Sequence, residues 1–315
     1  MTPESIQQVA HDLRAATGQV VIGQDNAVDL LLVALISHGH VLLEGVPGVG
    51  KTLLAKTFAN LLALEFGRIQ FTPDLMPGDL LGSNLFDFQQ SKFSLIKGPI
   101  FTEILLADEI NRTPPKTQSA LLEAMQERHV TLDGTRYDLG DGFMVVATQN
   151  PIEHEGTYPL PEAQLDRFLF RLMIGYPNRE DEKKLVHLHG NTATTLSTAA
   201  SPMLSLEHIL AMRRTVAEIT VAESMIDYIV DLVRETRTSS SILTGASPRA
   251  ASMLATASRA LACVRGRQYI IPDDVKELFI PAIEHRITLS PGAEIEGSSA
   301  RQVLSKILER VPAPR

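Results

Sequence analysis

An α/β fold with a parallel five-stranded sheet and helices on both faces, followed by a small all-helical domain, is what this sequence predicts. Three observations carry the prediction. Short apolar runs at 41–43, 69–71, 104–107, 143–147 and 168–174 alternate with segments of helical apolar spacing, the pattern of strands buried on both faces and joined by crossover helices. The octapeptide GVPGVGKT at 45–52 lies between the first run and a helical stretch. Beyond a Thr-, Ser- and Ala-rich stretch at 190–202, the apolar patterns take the helical period.

In chain order, Ile6, Val9, Ala10, Leu13 and Ala16 repeat at helical spacing, with Thr2 as N-cap and Pro3 at the first helical position. Two inserts interrupt the alternation of strands and helices. Apolar residues at 85–88 and 93–96 flank a polar turn at 89–92, which reads as a hairpin insert near 83–98. Val130-Thr131-Leu132 and Thr135-Arg136-Tyr137 flank Asp133-Gly134, a two-residue hairpin turn within an insert near 128–140. The sheet domain is expected over 1–203 and the helical domain over 204–315. In the latter, Ser247-Pro248 starts a helix running to about Val264 and Pro272-Asp273-Asp274 starts another.

A length of 315 residues gives room for a larger domain and a smaller one. With 44% hydrophobic and 21% charged residues the chain has globular composition, which excludes a fibrous repeat or long disordered tails. A net charge of −8 argues against a partner held by a global basic field, so nucleic acid is not expected. The single cysteine, Cys263, excludes an intrachain disulfide and reads as a small buried side chain. The opening residues lack the basic-then-apolar pattern of a secretory leader. The longest apolar stretch, near 30–36, falls short of the ~20 residues a membrane helix needs. A cytoplasmic location without a membrane segment is therefore expected. His38, His40, His154, His187 and His189 fit no metal-ligand spacing and read as ordinary polar histidines.

The chemistry concentrates in three strings. In Gly45-Val46-Pro47-Gly48-Val49-Gly50-Lys51-Thr52, a glycine-rich loop opening a helix lets backbone N–H groups converge on phosphates. Lys51 would reach the outer phosphates and the Thr52 hydroxyl would ligate Mg²⁺, with Leu53 continuing the helix. The apolar strand at 104–107 ends in Asp108-Glu109. There Asp108 would hold Mg²⁺ through water and Glu109 would position and polarise an attacking water. The strand at 143–147 ends in Thr148-Gln149-Asn150, and the Asn150 amide can bond the γ-phosphate of ATP or the water. Taken alone, an Asn before Pro151 caps a turn. Strand ends of a doubly wound sheet form one ligand edge, which brings the three strings together.

These elements in this order, with a helical second domain, resemble the AAA+ superfamily. GVPGVGKT, LLADEINRTPPKTQSALLEAMQERHVTLDG, ATQNPIEHEGTYPLPEAQLDRFLFR and GASPRA look like the MoxR family, over about Val20 to Arg286. The resemblance implies that Asn150 is sensor 1, that Arg167 is an arginine finger entering a neighbour's ATP site, and that Arg249 is sensor 2. It further implies that Ile22 and Gly23, in Val21-Ile22-Gly23-Gln24, line the adenine pocket, and that the two hairpins are the helix-2 and pre-sensor-1 inserts. ATP and Mg²⁺ are the implied substrate and cofactor. The implied partners are further copies of the chain in a hexameric ring, a protein carrying a von Willebrand factor A domain, and a protein client remodelled in a chaperone-like manner. On their own residues, without the family pattern, Arg167 and Arg171 read as ordinary surface salt-bridge partners. Arg249 sits at a helix N-terminus, where the dipole disfavours a cation and some other reason, such as a phosphate, is needed. Two alternatives stay open: a nucleic-acid motor, distinguished by salt-dependent stimulation with DNA or RNA, and a small-molecule P-loop kinase, distinguished by a phosphorylated metabolite in place of free phosphate. The first hairpin, with Asp87 beside Lys92 and Lys97, lacks the basic and aromatic surface that grips a single strand.

Overall fold

The computed structural model describes residues 1–87, 92–151, 156–190 and 202–314. The turn expected from Gln89 lies outside these except at Lys92, as do His154 with Glu153 and Glu155, and the linker positions 191–201. Five strands, β1 (Val41–Glu44), β2 (Phe66–Gln70), β3 (Ile104–Asp108), β4 (Met144–Gln149) and β5 (Phe170–Met173), form one sheet in the order β5-β1-β4-β3-β2. Every pairing in it is parallel.

Alternation along the strands explains the continuous apolar runs. Val41, Leu43, Ile104, Leu106, Met144 and Val146 enter one core, while Leu42, Leu105, Ala107, Val145 and Ala147 enter the core on the opposite face. Because both faces are covered, successive residues are all apolar instead of alternating with polar ones. Each fully buried leucine contributes about 1.5–3 kcal/mol. β2 departs from the expected 69–71, since among the described residues it is an edge strand pairing with β3 alone, and Arg68 is exposed on it. A run-based reading finds only its one well-buried stretch. Phe168 and Leu169, expected in the fifth strand, are buried just ahead of it.

The longer helices are α1 (Pro3–Gly18), α2 (Asp25–Ile36), α3 (Lys51–Asn60), α4 (Pro115–Glu127) and α5 (Arg179–Gly190), then α6 (Leu206–Glu218), α7 (Glu223–Thr238), α8 (Pro248–Val264), α9 (Pro272–Ile283) and α10 (Ala300–Arg310). The Thr2 side chain accepts from the Ser5 N–H and Pro3 opens α1; Ser247 caps α8 likewise. The second part is a helical lid carrying one short antiparallel ladder, Ile242–Thr244 against Thr288–Leu289. The two parts interleave, with α1 lying on α8, α6 on α2, and Leu204–Ser205 pairing with Leu62–Ala63. Both hairpins form, Gly82–Asp87 with Lys92–Lys97 and His129–Leu132 with Thr135–Asp138. The second turns through Asp133 and Gly134, both at positive φ, and the Asn84 amide donates to Asp133 at 2.7 Å, tying the hairpins together. Among the described residues, no helix is long and apolar enough to cross a membrane.

Candidate active site

Parallel pairing brings the carboxyl ends of β1, β4, β3 and β2 to one edge, and the residues of the three strings at 45–52, 104–109 and 143–150 collect there. Residues 45–50 run from β1 to the N-terminus of α3. A Cβ on Gly45 would stand 2.3 Å from the Ile174 carbonyl oxygen, so only glycine lets the loop leave β1 against β5. Gly50 caps α3 at φ +88, a conformation that costs other residues about 1–2 kcal/mol. The loop thus ends on a helix N-terminus, whose partial positive charge and unpaired N–H groups suit an anion. Lys51 Nζ donates to the carbonyls of Gly45 and Val46 at 2.5 and 3.0 Å. Burial lowers its pKa, opposed by the carboxylates of Asp108, Glu109 and Glu44.

Asp108, almost wholly buried, is the hub. Its carboxylate accepts from Thr52 Oγ1 at 3.1 and 3.2 Å, from Thr148 Oγ1 at 2.6 Å and from Arg68 Nη2 at 2.8 Å. The paired hydroxyl and carboxylate oxygens of Thr52 and Asp108 are a hard donor set that fits Mg²⁺. Glu109 has φ +57, a left-handed backbone on a residue with a long side chain, and such conformations cluster at functional sites. Its N–H donates to Thr148 Oγ1 at 2.9 Å, and its carboxylate accepts from the Gln70 amide at 2.7 Å and pairs with Arg112 at 2.9 Å.

Lys51, Thr52, Leu53, Asp108, Glu109 and Asn150 line one cleft of about 520 Å³, together with Pro47, Gly48 and Gly50. Val49 packs under the loop on the main core. A second cleft, of about 300 Å³, lies between Gly23, the strand end at Met173 and Ile174, and the lid residues Ile280 and Pro281. Ile22 stands immediately before it in the chain.

Arg167 and Arg249 are not among the residues lining the large cleft of their own chain. Arg167 Nη1 donates to the Leu122 carbonyl midway along α4. Arg249, at the start of α8, pairs across the lid seam with Asp166 at 3.7 Å, and that carboxylate supplies the reason for a cation at a helix N-terminus. Arg171, read as a possible surface partner, instead pairs at 2.6 Å with Glu44, which is fully buried and also accepts from the Gln149 amide.

Arg68, Gln70, Thr148 and Glu44 were not singled out from the sequence. Gln70 lies opposite Asp108, and Glu44 opposite Gln149, only through strand register. The one available signal was strand period, which puts Arg68 and Gln70 on the same side of β2.

A model of the ATPase family associated with various cellular activities (AAA) matches residues 40–170, and one of the AAA lid domain matches 234–307. The chain is 44% identical to Chaperone MoxR1 of Mycobacterium tuberculosis, covering 99% of this chain and 85% of that protein. It is 31% identical to Protein MoxR of Paracoccus denitrificans, covering 90% and 89%. A crystal structure from Cytophaga hutchinsonii, 40% identical, superposes with a TM-score of 0.90 over 99% of this chain and 97% of that one. The phosphate loop, the paired acids at the end of β3, the strand order and these full-length likenesses agree: the chain belongs to the MoxR family of AAA+ ATPases.

Proposed function

We propose that the chain hydrolyses ATP with Mg²⁺ in the large cleft, as one subunit of a ring, and uses the cycle to remodel or activate a protein client. The observation that carries this reading is the convergence of Lys51, Thr52, Asp108, Glu109 and Asn150 on one cleft. The loop N–H groups and the α3 N-terminus bind the phosphates, and Lys51 leaves its two carbonyl partners to neutralise the outer ones. Thr52 and Asp108 would hold Mg²⁺, which would supply charge neutralisation on the terminal phosphates. Glu109 orients the attacking water and takes up its proton, and Asn150 fixes the γ-phosphate or that water.

The adenine is assigned to the cleft at Gly23, next to Ile22, whose lid walls make its shape depend on domain closure. Arg167 is assigned to the neighbouring subunit's site. Its place outside the cleft of its own chain supports a role across a subunit boundary. Arg249 reads closure of the lid, which we take as 204–315 on a nucleotide-binding part at 1–203. A hexameric ring, a von Willebrand factor A partner and a cytoplasmic setting rest on the resemblance to the family and on the sequence. The chaperone reading draws on the name of the Mycobacterium tuberculosis relative.

Lys51→Ala removes the phosphate-neutralising charge and is expected to abolish nucleotide binding. Glu109→Gln is expected to keep binding and lower turnover by roughly 10²–10⁴. Calorimetric binding beside a phosphate-release assay separates the two. Parent-like ATP affinity in Lys51→Ala would rule out the loop as the phosphate site.

A further inference from the structure

The edge strand β2 sets a guanidinium on the carboxylate assigned above to Mg²⁺. Arg68 Nη2 lies 2.8 Å from Asp108 Oδ2, while Asp108 itself is almost wholly buried. A buried carboxylate that accepts only from hydroxyls keeps its charge uncompensated, which is costly. Of the two cations lining the cleft, Lys51 donates to the carbonyls of Gly45 and Val46 and Arg112 pairs with Glu109 at 2.9 Å. Among the described residues, Arg68 is thus the cation in hydrogen-bond contact with Asp108. Its side chain is 49% exposed and, among the described residues, no strand lies beyond β2, so the guanidinium can swing into water without disturbing the core. An arginine stays charged at any working pH, so only another cation can take its place.

We propose that Arg68 is the counter-cation of Asp108 in the metal-free protein and that Mg²⁺ arriving with nucleotide displaces it, so that Arg68 sets the metal dependence of nucleotide binding. The inference rests on Asp108 being the metal-holding carboxylate. A guanidinium and a divalent ion on one carboxylate repel each other, so each bound state excludes the other. With metal absent, Arg68 offsets part of the charge of Asp108 and Glu109 that opposes a nucleotide triphosphate. With metal present, its attraction to Asp108 must first be broken.

The test is the affinity of a fluorescent ATP analogue in EDTA and in saturating Mg²⁺, with Mn²⁺ uptake followed by electron paramagnetic resonance, for the parent, Arg68→Ala, Arg68→Gln and Arg68→Lys. Removing the guanidinium should raise the ratio of the metal-free to the metal-bound Kd by roughly two- to fivefold, the scale of a half-exposed ion pair. The Mn²⁺ concentration at half-occupancy should fall by the same factor, and Arg68→Lys should stay near the parent. A purely structural role would weaken both arms together. An unchanged or smaller ratio in both Arg68→Ala and Arg68→Gln, with a parent that binds tighter in Mg²⁺, overturns the proposal alone. A parent indifferent to Mg²⁺ overturns the assignment of Asp108, and the proposal with it.

Discussion

Thr148 performs two tasks with one hydroxyl. It donates to Asp108 and accepts from the Glu109 N–H, so it orients the first acid and supports the left-handed backbone of the second. Thr148→Val keeps the shape and leaves the Glu109 N–H without its acceptor, an omission worth about 1–3 kcal/mol in a buried site. If that loss falls on the geometry of Glu109, turnover should drop roughly tenfold or more, while Thr148→Ser should recover most of it. Phosphate release at saturating ATP checks this, and a Thr148→Val enzyme as fast as the parent would contradict the supporting role. At this scale, residues carried on contiguous strings were legible: Lys51, Thr52, Asp108 and Glu109 sit where their motifs place them. Arg68, Gln70, Thr148 and Glu44 were not, because each acts on a residue 39 or more positions away or through a neighbouring strand. No local pattern records such a meeting.

Between elements, His40 fastens three parts of the core. The Val145 N–H of β4 donates to its Nδ1 at 2.9 Å, which fixes the tautomer so that Nε2–H donates to the Met125 carbonyl of α4 at 3.1 Å. Burial pulls its pKa from 6.5 to about 3. Because the folded value is below the unfolded one, the unfolded chain binds the proton first as pH falls. Stability is therefore complete above pH 6.5 and lost progressively towards pH 3. His285, whose pKa burial also lowers, adds to the slope in the same direction. Chemical denaturation at pH 7 and pH 4.5 should show a loss of about 2–3 kcal/mol from His40 alone. His40→Gln, which can keep both hydrogen bonds, should remove that share of the pH dependence, and a variant with the parent's slope would refute it. The sequence marked His40 only as a polar histidine, since the strand and helix it joins are 105 and 85 positions away. By contrast β1, β3 and β4 were legible as continuous apolar runs, because burial on both faces writes itself into every residue. The edge strand β2 was caught only in part because, among the described residues, it has no second neighbour.

Across the whole molecule, the lid is stitched to the segment that carries Arg167. Arg286 bonds the Asp166 carboxylate at 2.7 Å and the Phe168 carbonyl at 2.6 Å, His285 meets the Phe168 carbonyl at 2.9 Å, and Arg249 approaches Asp166 from α8. The residue proposed to act on the next subunit is thus held between α4 and the lid of its own chain. No single-chain sequence pattern reveals this arrangement. The account as a whole requires a site completed across a subunit boundary, where one arginine is worth roughly 10³–10⁵ in rate in other P-loop nucleotide hydrolases. Phosphate release by mixed assemblies tests that requirement most directly. Glu109→Gln subunits lack the water-orienting acid and keep Arg167, while Arg167→Ala subunits keep the acid and lack the arginine, and each alone should be inactive. When the two are mixed and co-assembly is verified by native mass measurement, activity should reappear, because an intact acid in one subunit then faces an intact arginine from the next. Verified mixed rings that release phosphate no faster than either variant alone would contradict the account.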